Sequence, residues 1–281
     1  MQAWALEQRR AGRSIGLVPT MGSLHDGHLS LVKRCRAEND LCVVSLFVNP
    51  AQFGPAEDFE HYPRDMARDT ELLELLEADV LFAPAVEAVY PPGFSTYVEE
   101  TALSKPLCGA SRAGHFRGVT TVVLKLLNLV QPARAYFGQK DAQQARVIMQ
   151  MVRDLDVPVE IMMLPIVREP DGLAMSSRNW YLEPAERREA KVLYEALEWA
   201  RSAVDNGERS ADTLVRGVRR MIEAMPSARA DYVAAVDFDT LDEIEVLRGT
   251  VLIAVAVFFG TTRLIDNVII RVEPTEESDN S

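Results

Sequence analysis

The amino-acid sequence predicts an α/β fold, a doubly wound parallel sheet followed by a second, smaller α+β domain. Three observations predict it. Short, continuously apolar runs alternate with amphipathic helical stretches, loops containing glycine join the runs to those helices, and the texture changes past the turn at residues 170–172. Runs that are apolar throughout belong to strands covered on both faces, the usual state of parallel sheets.

The elements follow in order. After a short amphipathic start, residues 15–18 (IGLV) form an apolar run that stops at Pro19. The loop at 19–28 (PTMGSLHDGH) leads into a helical stretch at 29–39, and 41–48 (LCVVSLFV) reads as a second buried strand. Strand, loop, helix and strand make a βαβ unit. The alternation continues with a helix over 66–77, a strand at 79–83, a helix over 119–130, a strand at 134–137, a helix over 141–155 and a strand at 159–167. This pattern predicts a Rossmann-like domain over residues 1–166 and a smaller domain over 167–281. Within the latter, 184–225 read as two charged amphipathic helices and 230–271 as short strands. From about residue 274 the chain (PTEESDNS) reads as an acidic, disordered tail.

Composition narrows the function. With 281 residues, 48% of them apolar, the chain can bury one large core and a smaller one. A formal charge of -12, from 42 Asp and Glu against 30 Lys and Arg, disfavours nucleic acid as a partner. Cys35, Cys42 and Cys108 match neither a thiolate metal site nor a disulfide framework, which points to the cytoplasm. No apolar stretch is long enough to span a bilayer or to act as an export signal, so no membrane partner is expected.

Ligands of open parallel sheets bind at the carboxyl ends of the strands, where the loop at 19–28 lies. His25-Asp26-Gly27-His28 sits where a strand ends and a helix begins. With the helix starting near Asp26, the two imidazoles lie about one turn apart and face a point in front of its N-terminus. That point is an anion site, where both rings could donate to phosphate oxygens, while Gly22 and Gly27 admit a bulky triphosphate close to the backbone. A metal-binding pair and a merely structural pair are the alternatives. Two histidines alone complete no zinc site, and His61 and His115 are the only others.

Two further segments suit phosphate. Gly138-Gln139-Lys140-Asp141 follows a strand, with Lys140 a flexible point charge and Asp141 placed to cap the next helix; by itself this could be an ordinary surface lysine. Met175-Ser176-Ser177-Arg178 offers two hydroxyls and a guanidinium, although serines there could simply form a turn. Jointly the three segments favour a nucleotide site. Gln52, leaving the second strand, and Gln144 could hold a hydroxyl or carboxylate. Gly114-His115-Phe116-Arg117-Gly118 is a basic loop that could bind an anion or turn the chain.

The segments PTMGSLHDGH, FVNPAQF, YPR, GHFRGV, FGQKDAQQ, DGLAMSSRN and RLIDN, in that order over nearly the whole chain, resemble those of pantothenate synthetases, members of the HxGH nucleotidyltransferase-like superfamily. The resemblance implies a ligase that joins pantoate and β-alanine through a pantoyl adenylate, consuming ATP with magnesium on the nucleotide and releasing AMP and pyrophosphate. It also implies a homodimer whose smaller domain moves over the site as a lid. Carried over by position, Met21, Gly22, Ser23, Leu24, His25, Asp26, Gly27 and His28 would bind ATP, with His28 matching the proposed proton donor. Lys140 would stabilise phosphate charge. Gly138, Asp141 and the backbone at Val167 would hold the adenosine, with Gln139 beside them. Met175, Ser176, Ser177 and Arg178 would close over the triphosphate. Gln52 and Gln144 would bind pantoate, and no protein residue is implied as a metal ligand. A nucleotidyltransferase acting on another small acceptor and a nucleotide sensor without turnover are the competing readings.

Overall fold

In the computed structural model, which describes residues 1–55 and 59–273, the chain forms two units. The first comprises Met1–Val167 and Met175–Ser177; the second comprises Arg168–Ala174 and the chain from Arg178 onward. The acidic tail expected from residue 274 lies outside the described residues.

The first unit is built on strands β1 (Ile15–Thr20), β2 (Leu41–Leu46), β3 (Val80–Phe82), β4 (Arg134–Gly138) and β5 (Glu160–Leu164). They form one parallel sheet in the order β3-β2-β1-β4-β5. Its helices are α1 (Gln2–Arg10), α2 (Asp26–Glu38), α3 (Met66–Leu75), the single turns α4 (Val86–Val89) and α5 (Cys108–Ser111), α6 (His115–Val130) and α7 (Ala142–Asp154). Successive strand residues enter different cores because side chains alternate across a sheet. Ile15, Leu17, Leu41, Val43, Ala135 and Phe137 pack against α1, α6 and α7. Val18, Cys42, Val44, Leu46 and Tyr136 pack against α2 and α3. Each fully buried aliphatic side chain in these layers stabilises by roughly 1.5–3 kcal/mol relative to exposure, so both parities of the strand pattern are mainly apolar. That is why the runs read as apolar throughout.

The strand order reverses at β1. The chain travels outward through β2 and β3 with α2 and α3 on one face, then α6 carries it back to β4 on the other side of β1. Strands β1 and β4 pair at Gly16–Arg134 and Leu17–Ala135, and the pairing does not extend to their carboxyl halves. The loops leaving those two strands therefore flank the switch point of the sheet, the place where ligands of this architecture bind.

The second unit carries α8 (Pro184–Glu189), α9 (Val192–Asp205) and α10 (Ala211–Glu223) on an antiparallel sheet of β6 (Ala228–Asp237), β7 (Gly249–Phe259) and β8 (Thr262–Val272). Leu193, Leu197, Leu214, Val218 and Ile222 pack against alternate residues of β7, from Val251 to Phe259. Residues 184–225 thus hold three helices where the amphipathic pattern predicted two. The strands, at 10 and 11 residues, are longer than expected. One boundary in the first unit also differs. Helix α6 starts at His115 and not at 119, because Gly114, with φ 79°, turns the chain directly into the helix. The basic stretch at 114–118 is therefore mostly a first helical turn.

Gly16 faces α2, where a Cβ would lie 2.4 Å from Cys35 Sγ and 2.5 Å from Asn39 Nδ2. Gly16→Ala should push α2 off the sheet and cost about 1–3 kcal/mol, measured as a lowered urea midpoint with unchanged slope.

Candidate active site

The loop from β1 to α2 is held by its own surroundings. Thr20 Oγ1 donates to Ser45 O (2.8 Å) and accepts from Gly22 N (3.3 Å). Gly22 and Ser23 then take positive φ, 86° and 53°. The buried carboxylate of Asp69, from α3, accepts from Ser23 N and Leu24 N, both at 2.8 Å. Those two amides thus face Asp69 and not the crevice, and Leu24 is anchored in the core.

Helix α2 begins at Asp26 with His25 as its cap. His25 Nδ1 accepts from Gly27 N at 3.2 Å, and His28 Nδ1 accepts from His25 N at 3.4 Å. The two imidazoles form a reciprocal capping box, the arrangement more often made by Ser or Thr with Glu. A backbone N–H can only donate, so each Nδ1 is bare and the neutral rings carry their hydrogen on Nε2. The rings lie 4.1 Å apart between centroids. Burial first, then His25 and the Lys140 charge, lower the pKa of His28 from the ordinary 6.5 to about 3. At neutral pH His28 is therefore a hydrogen-bond donor through Nε2–H and not an imidazolium.

Lys140 lies in the turn Gln139–Asp141 between β4 and α7, across the switch point from the histidine loop. Its ammonium is 3.7 Å from Asp141 Oδ2. Asp141 stands at the cap position of α7, as the sequence predicts, yet its side chain makes no capping bond. Beside Lys140, the carboxylate is held by the neighbouring charge instead. Of the two glutamines in the first turn of α7, Gln144 is half-buried. Gln143 serves the fold: it accepts from Cys108 N and donates to Leu103 O and Pro106 O.

Gln52 ends a helical turn (Pro50–Gln52) capped by Asn49. Its Nε2 donates to Met21 Sδ (3.1 Å), which ties it to the histidine loop, and its Oε1 accepts from Asn49 Nδ2 (3.1 Å). Asn49, 1% exposed, also donates to Gly118 O and accepts from the Tyr90 hydroxyl. His115 Nε2 accepts from Arg112, so its Nδ1–H donates to Gln52 O at 2.8 Å. A Cβ on Gly118 would lie 2.2 Å from Ala51 O, so α6 meets this turn backbone to backbone. Asn49, Tyr90, His115 and Asp69 are the residues that sequence reasoning missed or left open. The motifs FVNPAQF and GHFRGV carried hints for Asn49 and His115; Tyr90 and Asp69 had none.

The segment Met175–Ser177 belongs to the first unit. Met175 N donates to Val167 O (3.0 Å), Met175 Cβ lies 4.0 Å from the Cβ position of Gly27, and Ser177 Oγ meets the Tyr62 hydroxyl at 3.4 Å. Arg178 and residues 168–174 belong to the second unit. There Arg168 donates through both terminal nitrogens to the buried carboxylate of Asp266, at 2.6 and 3.0 Å. Asn179 bonds Glu169 and Ala174 O. The first unit therefore gathers the loop at 21–28, Lys140, Gln52 and Met175.

A doubly wound parallel sheet with paired imidazoles and a lysine in the loops about its switch point is the architecture of an α/β enzyme. The chain belongs to the pantoate-beta-alanine ligase family, whose family model matches residues 1–269. It is 57% identical over 270 residues to the pantothenate synthetase of Thermotoga neapolitana, covering 96% of each chain, and 58% identical over 264 residues to that of Moorella thermoacetica, covering 94% and 93%. Among solved structures, pantothenate synthetase from Thermus thermophilus superposes with a TM-score of 0.90 at 49% identity, over 96% of this chain and 98% of that one. A pantoate-beta-alanine ligase from Francisella tularensis, complexed with beta-gamma ATP and beta-alanine, gives 0.74 at 35% identity, over 92% and 90%.

Nitrogen NMR of labelled histidine should find His28 in the neutral Nε2–H form across about pH 8 to 5, where an ordinary histidine takes up a proton. Its folded pKa lies below the ordinary 6.5, so the unfolded chain binds the proton first. The stability held by neutral His28 is thus complete above about pH 6.5 and is lost as pH falls toward 3. A titration of His28 near pH 6.5 would overturn this assignment.

Proposed function

We propose that the chain ligates pantoate and β-alanine to pantothenate at the expense of ATP, through a pantoyl adenylate. One observation supports this reading: a chain that belongs to the ligase family along nearly its full length carries two imidazoles whose Nδ1 atoms accept backbone amides, leaving the ring hydrogen on Nε2, in the loop after β1, and Lys140 in the loop after β4. The solved relative with beta-gamma ATP and beta-alanine supports both as ligands of this chain.

In the first step a pantoate carboxylate oxygen attacks the α-phosphorus of ATP and pyrophosphate leaves. In the second, the β-alanine amine attacks the acyl carbon, the C–N bond forms, the C–O bond to AMP breaks and the amine sheds its proton. Both steps move negative charge among phosphate oxygens, so catalysis rests on positioning and on donors fixed before the reaction begins. His25 and His28 supply neutral N–H donors, which need not change charge to follow that movement, and Lys140 supplies the cation. Met21 to His28, with Gly138, Gln139, Asp141 and the Val167 backbone, would bind the nucleotide. Met175, Ser176, Ser177 and Arg178 would cover the triphosphate, and Gln52 with Gln144 would hold pantoate. Residues 167–281 would act as the smaller lid domain.

Among the described residues no group of three or more His, Cys, Asp and Glu side chains could hold a metal ion. Magnesium expected on the nucleotide would be held mainly by phosphate oxygens and water, as is common for this cation. No helix of the described residues is long and apolar enough to cross a membrane. The reading carries with it a cytoplasmic location, in keeping with three buried cysteine thiols, and a homodimeric state that sedimentation would check.

Purified protein with magnesium-ATP should release AMP only when pantoate and β-alanine are both present, with pantothenate confirmed by mass. A product carrying the nucleotide would point to a transferase, and ATP binding without any product to a sensor. Lys140→Ala should lower turnover about 10²-fold or more, by analogy with removing one fixed charge-stabilising donor, while leaving the fold intact. His28→Gln, which keeps a neutral N–H donor, should retain more turnover than His28→Ala. Equal losses in the two would argue that the donor is not what matters.

A further inference from the structure

We propose that Asp69 is a positioning residue for the paired histidines: through the Ser23 and Leu24 amides it fixes the loop that aims them at the nucleotide. The proposal rests on the ligase reading for its catalytic consequence. Asp69 is 2% exposed, yet it sits in the first turn of α3, far from the histidines in sequence, and takes no part in the chemistry assigned above. Its Oδ2 accepts from the amide of Ser23 and its Oδ1 from the amide of Leu24, both at 2.8 Å. The carboxylate is thus met by two N–H groups and by the positive end of the α3 dipole.

What the carboxylate secures is an unfavourable conformation. Ser23 holds φ at 53°, a region that residues with a Cβ rarely enter, and it follows Gly22 at 86°. A Cβ at Gly22 would lie 3.1 Å from Asp69 Oδ2, so even the absent side chain at that position belongs to the fit. Leu24, locked in the core, then delivers His25 to the cap position, where the reciprocal imidazole bonds form. Without the two-pronged acceptor, Ser23 has reason to return to negative φ. The cap would move with it, and a displacement on the order of 1 Å at a catalytic group can cost about 10²-fold in rate.

The sequence context conceals this role. In Asp65-Met66-Ala67-Arg68-Asp69-Thr70-Glu71 the residue looks like one more charge on an amphipathic helix, and Asp65 already supplies the cap by accepting from Arg68 N. Only the fold reveals that Asp69 points inward.

The test is Asp69→Asn, which has the same shape but can accept only one of the two amides. Expected are a cooperative thermal transition, a kcat for AMP release lowered between about 10- and 10²-fold, and a histidine nitrogen spectrum in which the single Nε2–H form of His25 and His28 gives way to a mixture. Adding Ser23→Gly, which tolerates positive φ without the clamp, should recover part of the loss. If Asp69→Asn does not fold, Asp69→Glu must give the same drop in kcat and the same spectral mixing. A folded variant with lower melting temperature but wild-type kcat and histidine spectrum would overturn the proposal, leaving Asp69 a stabilising residue only. The spectrum separates the two layers of inference: if wild-type protein releases no AMP with both substrates, the ligase reading fails, while the spectra still decide whether Asp69 orders the histidines.

Discussion

The site depends on β1 being paired along both edges while its neighbours run in opposite directions through the sequence. Because β2 and β4 share β1, the loops that leave β1 and β4 emerge side by side, and the β1–β4 ladder stops at Leu17–Ala135, short of both loops. The histidine loop comes from one side and the Lys140 turn from the other. Packing makes the arrangement rigid: alternate residues of each strand feed two cores, and Gly16 lets the Cys35 and Asn39 side chains seat directly on the sheet backbone. A helix so closely seated cannot tilt freely, which fixes where its N-terminus points.

A strongly acidic protein that receives a triphosphate raises a question of magnitude. The formal charge of -12 is spread over the whole chain, and at physiological salt exposed charges separated by more than about 8 Å are largely screened. A single cation within about 4 Å of a phosphate is worth on the order of 4 kcal/mol at an effective dielectric of 20. The local term wins at contact range. On the proposed reading Lys140 and the oriented N–H groups would set the affinity, while the global charge bears on solubility and on slow, long-range encounter.

Much of the fold was legible because parallel strands buried on both faces leave uninterrupted apolar runs, and the His25-Asp26-Gly27-His28 junction announced where α2 begins. What could not be read lies in long-range pairings. Asn49 answers to Tyr90 and Gly118, His115 to Gln52, and Asp69 to Ser23 and Leu24; none of these pairs is close in sequence. Helix α6 was placed too late because a left-handed glycine before His115 has no signature in hydrophobic periodicity. Asp141 illustrates the reverse case. Its position was right for a cap, but the adjacent lysine won its carboxylate. Motif order singled out the candidate segments, while the network that holds them is visible only in the three-dimensional structure.

The capping box has one more implication. With Nδ1 of each ring committed to a backbone amide, the hydrogen of each neutral imidazole sits on Nε2 and neither ring nitrogen keeps a free lone pair. A neutral imidazole in this tautomer can donate to phosphate or carboxylate oxygens, whereas an ammonium group or a bare metal cation would meet hydrogen where it needs electrons. The polarity of each ring's remaining nitrogen is thus decided by two peptide groups of the main chain, at His25 and Gly27, before any charged side chain is consulted.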